Sequence, residues 1–291
     1  ISIDNNEKLK NYHLTSEHYK NLEALQIVHV QLNDIKLEKL FTSLEDKKYF
    51  KKLILYNCSI KNIPISIIKL KELQTLDLSI NNLRTLPPEI TQLKNLSYLR
   101  VGTNREFEYF PNNLCELPNL KILEFKATAI TQINDDIGNC KNLVSIKANA
   151  GKLSSISNQI GQCENLQHIN FAYNQIRNLP EGMGQLKKLE DLMLSGNKID
   201  LIPQSFAELS NLKSVHLYDN GLIEFPDVLT KLKNIESIMI HDNQIKSLPN
   251  SLGNLKKLDW FRIDDDKIPI TEIKRIKKQL PKIRLNEHKN R

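Results

Sequence analysis

Apolar residues return along the chain at offsets 0, 3, 5 and 10 from an opening residue, and this pattern recurs from Leu73 to Leu258 with a step of 23 residues in every interval but one. Leu73, Leu76, Leu78 and Leu83 show it most cleanly, with Asn81 at offset 8, and the next openings fall at Leu96, Leu120, Leu143, Leu166, Leu189, Leu212, Ile235 and Leu258. Offsets 3 and 5 differ by two, so an extended strand turns both side chains to one face, while offsets 2, 4 and 6 face the other way. The pattern predicts one short strand per repeat, with strands stacked in parallel because no repeat can bury its apolar face alone. Asn104, Asn174, Asn197, Asn220 and Asn243 share offset 8 with Asn81. At a tight turn inside such a stack, backbone groups are buried, and a short amide serves both donors and acceptors. Cys58, Thr128 and Asp266 hold that place in less regular repeats, whereas Val30 and Gly151 lack a hydrogen-bonding side chain and predict locally altered turns.

The second half of each repeat recurs as well: LPPEI from Leu86, LPEGM from Leu179, IPQSF from Ile202, FPDVL from Phe225 and LPNSL from Leu248. With the strand half, this string resembles the leucine-rich repeat family, in the variant shared by many bacterial repeat proteins and by intracellular Ras-group repeat proteins. The resemblance covers nearly the whole chain. It implies an α/β fold: a leucine-rich repeat solenoid, or curved horseshoe, with one parallel β-sheet on its concave face and an irregular, 3-10 or short helical convex side.

Both ends depart from the regular repeat. Leu22, Leu25, Ile27 and Leu32 form a unit whose outer half carries Leu37, Leu40, Phe41 and Leu44 at helical spacing. Ile1, Ile3 and Asn6 match offsets 3, 5 and 8, so the chain opens inside a repeat and a preceding segment is expected. After Ile268 and Pro269, TEIKRIKKQL puts Ile273, Ile276 and Leu280 on one helix face, with Thr271 as its expected cap. Leu280, Ile283 and Leu285 then repeat offsets 0, 3 and 5, which predicts a last edge strand that, with the helix, closes the open core. Length alone would suggest two domains. Repetition favours a single solenoid over 1–291, with irregular repeats over 1–49, regular repeats over 50–268 and a C-terminal cap over 269–291.

Composition adds mainly exclusions. The net charge of +7 invites a nucleic-acid partner. Yet the lysines are spread over the outer LKNL and LKKL segments and no nucleic-acid-binding motif organises them, so none is expected. A chain rich in Lys, Ile and Asn also fits an AT-rich, bacterial genome. No apolar run is long enough for a membrane span. GxSxG, HExxH and GxxxxGK are absent, so neither an enzyme nor a cofactor is indicated. Of the 4 cysteines, Cys58 lies on the ladder, Cys115 lies in an outer segment, and Cys140 and Cys163 fill the outer apolar place one repeat apart. That pair admits a disulfide or two buried thiols acting as small hydrophobes. The thiol reading is favoured, so four free cysteines are expected.

With ladder, core and outer positions assigned, the exposed strand offsets remain. Tyr173, Met193, His216, Tyr218, Met239, His241 and Trp260 cluster over neighbouring strands of the C-terminal half, the usual material of interface hot spots. A second patch, Tyr56, Tyr98, Arg100, Lys126 and Lys147, suits an acidic segment. His216 with His241, and Asp264 to Asp266, have metal-ligand residue types but no guaranteed geometry, and no metal is assigned. The expected function is a non-enzymatic, monomeric scaffold that binds a protein or peptide, or else a glycan, on its concave face. The family resemblance suggests a bacterial secreted or cell-surface protein, such as a lipoprotein. The alternative is a cytoplasmic regulatory array whose effector domain, as in Ras-group proteins or bacterial effector ligases, lies outside this sequence.

Overall fold

The computed structural model describes residues 1–4 and 20–286. The chain forms two compact units, one of residues 1–131 with 139–152, the other of 132–138 with 153–291. In the first, β1 (Ser2–Ile3), β2 (Ala24–Val28), β3 (Lys52–Tyr56), β4 (Thr75–Asp77), β5 (Tyr98–Arg100), β6 (Ile122–Glu124) and β8 (Ser145–Lys147) form a parallel sheet in chain order. In the second, β10 (His168–Asn170), β11 (Asp191–Met193), β12 (Ser214–His216), β13 (Ser237–Met239), β14 (Trp260–Arg262) and β15 (Arg284–Leu285) do the same. A separate two-stranded parallel pair, β7 (Gln132–Ile133) with β9 (Ser155–Ile156), also belongs to the second unit.

Registers follow the offsets. Leu53 pairs with Leu76 and Leu76 with Leu99, and in the second unit Leu192 pairs with Val215 and Val215 with Ile238. These residues are buried, as are their offset-5 companions such as Leu78, Leu194 and Leu217. Most of the returning outer halves are five-residue 3-10 turns, for example Pro88–Gln92 and Gln204–Glu208. A tight 3-10 turn brings the chain back within a short repeat where an α-helix would not fit.

The ladder asparagines work as the spacing predicts. Asn104 accepts from the Leu83 amide and donates to the Leu78 and Val101 carbonyls. Asn197 accepts from Ile176 and donates to Phe171 and Leu194, and Asn220 and Asn243 repeat the arrangement. One residue earlier, most repeats place a residue in the left-handed region, including Ile80 (φ 54°), Thr103 (58°) and Tyr173 (56°), with Gly196 (66°) as the one glycine. The turns before Val30 and Gly151 keep this feature at His29 (56°) and Ala150 (59°), so the expected distortion there does not extend to this left-handed step. A second rail of amides runs along the outer side, where Asn95, Asn119, Asn142, Asn211 and Asn234 each donate to a carbonyl of the preceding repeat.

At the N-terminal end, helix α1 (Asp34–Leu44) buries Leu37, Leu40, Phe41 and Leu44, and Asn33 caps it by accepting from the Lys36 amide. Ile3 pairs with Ile27 as its offset requires, while Asn6 lies outside the described residues. At the other end, helix α2 (Ile270–Gln279) buries Ile273 and Ile276. Its N-cap is Pro269 and not Thr271, which lies inside the first turn because proline already fixes the entry backbone. Arg275 on this helix donates to the Leu248 and Pro249 carbonyls. The last strand is shifted by two from its expected register: Leu285 pairs with Phe261 at offset 3, not with the offset-5 Ile263. Asn286 accepts from the Ile263 amide, so side-chain capping sets this edge instead of the apolar count. Asp266 is exposed and makes no ladder hydrogen bond among the described residues. Asp264 takes over, its carboxylate accepting from the Asp242 and Asn243 amides and pairing with Lys267. Those donors hold its carboxyl below the usual range although burial opposes them.

The expectation of four free thiols is overturned. Cys115 and Cys140 form a disulfide within the first unit, and Cys58 and Cys163 are free and buried. Cys163 donates to the Ile137 carbonyl, and burial pushes the Cys58 thiol up to about 11. The reason lies in the irregular repeat, where the single 24-residue interval ends at Leu120. Its outer segment is a short 3-10 turn, Leu114–Glu116, entered through left-handed Asn113, and this brings Cys115 to a Cα–Cα distance of 4.5 Å from Cys140.

Candidate binding face

The strands of the second unit bring one aromatic row together on the sheet face that the core does not use. Met193, His216 and Met239 stand in direct register on β11, β12 and β13, and all three are half-buried. Two residues beyond His216, Tyr218 stacks on His241 with ring centroids 4.8 Å apart and planes 17° apart. His216 approaches the Tyr218 ring at 6.5 Å. Tyr218 thus lies against both histidines.

Tyr173 joins the row from the turn. It shares the left-handed position with Gly196, Asp219 and Asp242 in four successive repeats (φ 56°, 66°, 55° and 55°). A Cβ on Gly196 would stand 2.4 Å from the Tyr173 ring, so the missing side chain is what lets the ring lie across the neighbouring repeat. The Tyr173 and Tyr218 hydroxyls are 2.9 Å apart and their rings meet edge to face at 6.4 Å. That hydrogen bond, helped by partial burial, pushes the Tyr173 phenol up to about 12. Tyr173 is nevertheless 50% exposed, an aromatic ring fixed in place but open to solvent.

His241 is the most constrained member. Its Nδ1 is buried without a hydrogen-bond partner, and Nε2 is 3.5 Å from Asp242. Burial, then the Arg262 charge, holds its imidazole below the usual histidine range. Trp260 is placed differently from the others. The Arg284 guanidinium lies 3.9 Å over its ring and is itself clamped by Asp259, so this face of the indole is covered by the chain's own cation. Gly196 and Arg284 escaped the sequence reading. Gly196 sits one residue past the exposed strand offsets, at the left-handed turn position that it shares with Asp219 and Asp242.

The second patch, in the first unit, carries its own counter-charges. Glu124 lies 2.9 Å from Lys147 and 3.3 Å from Arg100, and Arg100 also reaches Asp77 at 3.4 Å. Burial and the nearby Glu124 push the Tyr98 phenol up to about 12. Tyr56 meets His29 edge to face at 6.1 Å, and Lys126 is exposed. Arg100 and Lys147 are therefore engaged within the sheet face, and of the three basic residues expected to receive an acidic segment only Lys126 is without a carboxylate partner among the described residues.

The family model for the leucine-rich repeat region matches residues 15–160 and 148–280. Among curated proteins, volume-regulated anion channel subunit LRRC8A of Rattus norvegicus is 29% identical over 145 residues, and the same protein of Mus musculus matches equally. The match takes in 47% of this chain but spans only 18% of those relatives' length. Among solved structures, the internalin inlF of Listeria monocytogenes superposes with a TM-score of 0.70 at 19% identity, covering 94% of this chain and 83% of its own. The plant peptide hormone receptor RGFR1, solved in complex with RGF2, gives a TM-score of 0.74 at 25% identity, covering 100% of this chain and 45% of the receptor chain. No helix among the described residues is long and apolar enough to cross a membrane.

Proposed function

The chain belongs to the leucine-rich repeat family, and on that premise we propose that it is a non-enzymatic scaffold recognising a protein or peptide through the open sheet face of its second unit. The observation that carries this reading is the row Tyr173, Tyr218 and His241. These rings are ordered against one another on a surface that folding leaves free to vary. Rings already fixed by their neighbours lose little freedom on binding, which is what an interface anchor requires. Met193 and Met239 supply an adaptable apolar surround, with His216 between them in register. The solved complex of RGFR1 with its peptide supports use of this fold for peptide recognition.

A secreted or surface-attached location, in a bacterial setting, is the compartment we favour. The Cys115–Cys140 disulfide supports it over the cytoplasmic array, because such bonds persist in oxidising compartments. The paired variant Tyr173→Ala, Tyr218→Ala tests the binding reading. Both proteins would be used as bait against host-cell-surface extracts, with thermal unfolding measured alongside. The variant is expected to lose the captured partner while its unfolding temperature moves little. Undiminished capture would remove the aromatic row as the site.

A further inference from the structure

The flank of the second unit, between the turns that follow the strands and the outer 3-10 segments, carries a feature that neither the fold nor the open sheet face explains. Leu201 is 71% exposed and Ile223 63% exposed, and together they edge a hollow of about 340 Å³. Its floor is the buried side chains of Ile202, Phe225 and Val228, so the hollow opens directly onto core. Stepping by the repeat shows that the fold does not ask for aliphatic residues at its edge. The place of Leu201 is held by Ser155, Asn178, Glu224 and Ser247 in sister repeats, and that of Ile223 by Ser154, Arg177, Asp200 and Lys246. Two large aliphatic side chains standing in solvent over core, where sister repeats are polar, signal contact with something else.

The rim adds a sign. The chain carries a net charge of +7, yet the carboxylates around the hollow are Asp200, Glu224 and Asp227. Asp200 is paired with Arg177, while Glu224 and Asp227 make no ion pair among the described residues. We propose that this hollow is a docking site for an amphipathic segment of a partner protein, one that lays aliphatic side chains against Leu201 and Ile223 and sets lysine or arginine against Glu224 and Asp227. Apolar contact over the hollow supplies the affinity, and the local acidic rim on a basic protein selects the charge of the partner. The site stands apart from the aromatic row and does not depend on it.

The test uses three labelled synthetic peptides of one length, carrying leucine with lysine, leucine with glutamate, and serine with lysine, titrated against the full chain. The leucine and lysine peptide is expected to bind at least about tenfold tighter than either other peptide. Leu201→Asn with Ile223→Arg, residues that sister repeats already carry in these places, should weaken it at least about tenfold without loss of folding. Glu224→Gln with Asp227→Asn should weaken it several-fold and flatten its salt dependence. Tyr218→Ala should leave it unchanged, which separates this site from the open-face reading. Equal binding of all three peptides, or loss only in Tyr218→Ala, would overturn the proposal. So would self-association of the native chain that disappears in the Leu201 and Ile223 variant, since a second copy would then be the occupant.

Discussion

Asn104 is fully buried, and its amide is the partner of one backbone N–H and two carbonyls from neighbouring turns. Removing it leaves those groups dry and unpaired, so Asn104→Ala is expected to lower stability by about 3 kcal/mol, the order of one or two buried groups left unsatisfied. Urea unfolding measures this, and a loss under about 1 kcal/mol would show that water or relaxation replaces the amide. His241 carries a different prediction. Its folded pKa lies below its ordinary value of 6.5 because burial favours the neutral ring. Stability from this residue is therefore complete above 6.5 and is lost as pH falls from there through the lower folded value, since the unfolded chain binds the proton first. His241→Gln should flatten that slope in unfolding curves taken across the same pH range. Gly196→Ala should do local damage: its Cβ meets the Tyr173 ring, which must swing away, and near-ultraviolet circular dichroism would report the lost tyrosine order.

At the scale of elements, the Cys115–Cys140 bond ties two successive outer segments across 25 residues. Denatured, unreduced protein should titrate two thiols, Cys58 and Cys163. Replacing both bonded cysteines with serine is expected to cost about 2–4 kcal/mol. The contrast between this bond and α1 marks what was legible in the sequence. Leu37, Leu40, Phe41 and Leu44 announce their helix because three- and four-residue spacing is a local property. The disulfide joins partners one repeat plus two residues apart, and only the short turn after Asn113 brings them together, so stepping by the period pointed to Cys163 instead. The aromatic row was half legible for a similar reason. Strand alternation exposed Met193, His216, Tyr218, Met239 and His241, but the ring geometry depends on Gly196, a turn residue outside that alternation. Trp260 has the right offset, yet Arg284 arrives over it from the last strand, whose register the apolar pattern misread by two.

For the molecule as a whole, the repeat is the unit of tolerance. From β10 to β14 each strand pairs with the next 23 residues on, and adjoining repeats supply one another's core. Removing the 23 residues from 189 to 211 joins Lys188 to Leu212 and keeps every offset in register. The shortened chain is expected to fold with unchanged strand content and a modestly lower unfolding temperature. Removing only residues 189 to 199 should instead destabilise the second unit, because the strand half that carries Leu192 and Leu194 is lost while its outer half stays and has no strand to return to. Circular dichroism of the two deletions decides it, and equal behaviour would mean that the whole repeat is not what specifies the stack.

The amide ladder also gives the protein a chemical clock. Asn220 is the one ladder asparagine followed by glycine, the pairing in which a backbone nitrogen most readily attacks the side-chain amide and expels ammonia. In the folded chain the attacking nitrogen, that of Gly221, donates to the Ile199 carbonyl, and the Asn220 amide is held by Leu194 and Leu217. Ageing at this site therefore waits for that repeat to open, and conversion to a carboxylate would put negative charge where two carbonyls expect a donor. Mass spectrometry of stored protein should find the change far slower at Asn220 in the native chain than in a peptide spanning it, with each converted molecule less able to close again.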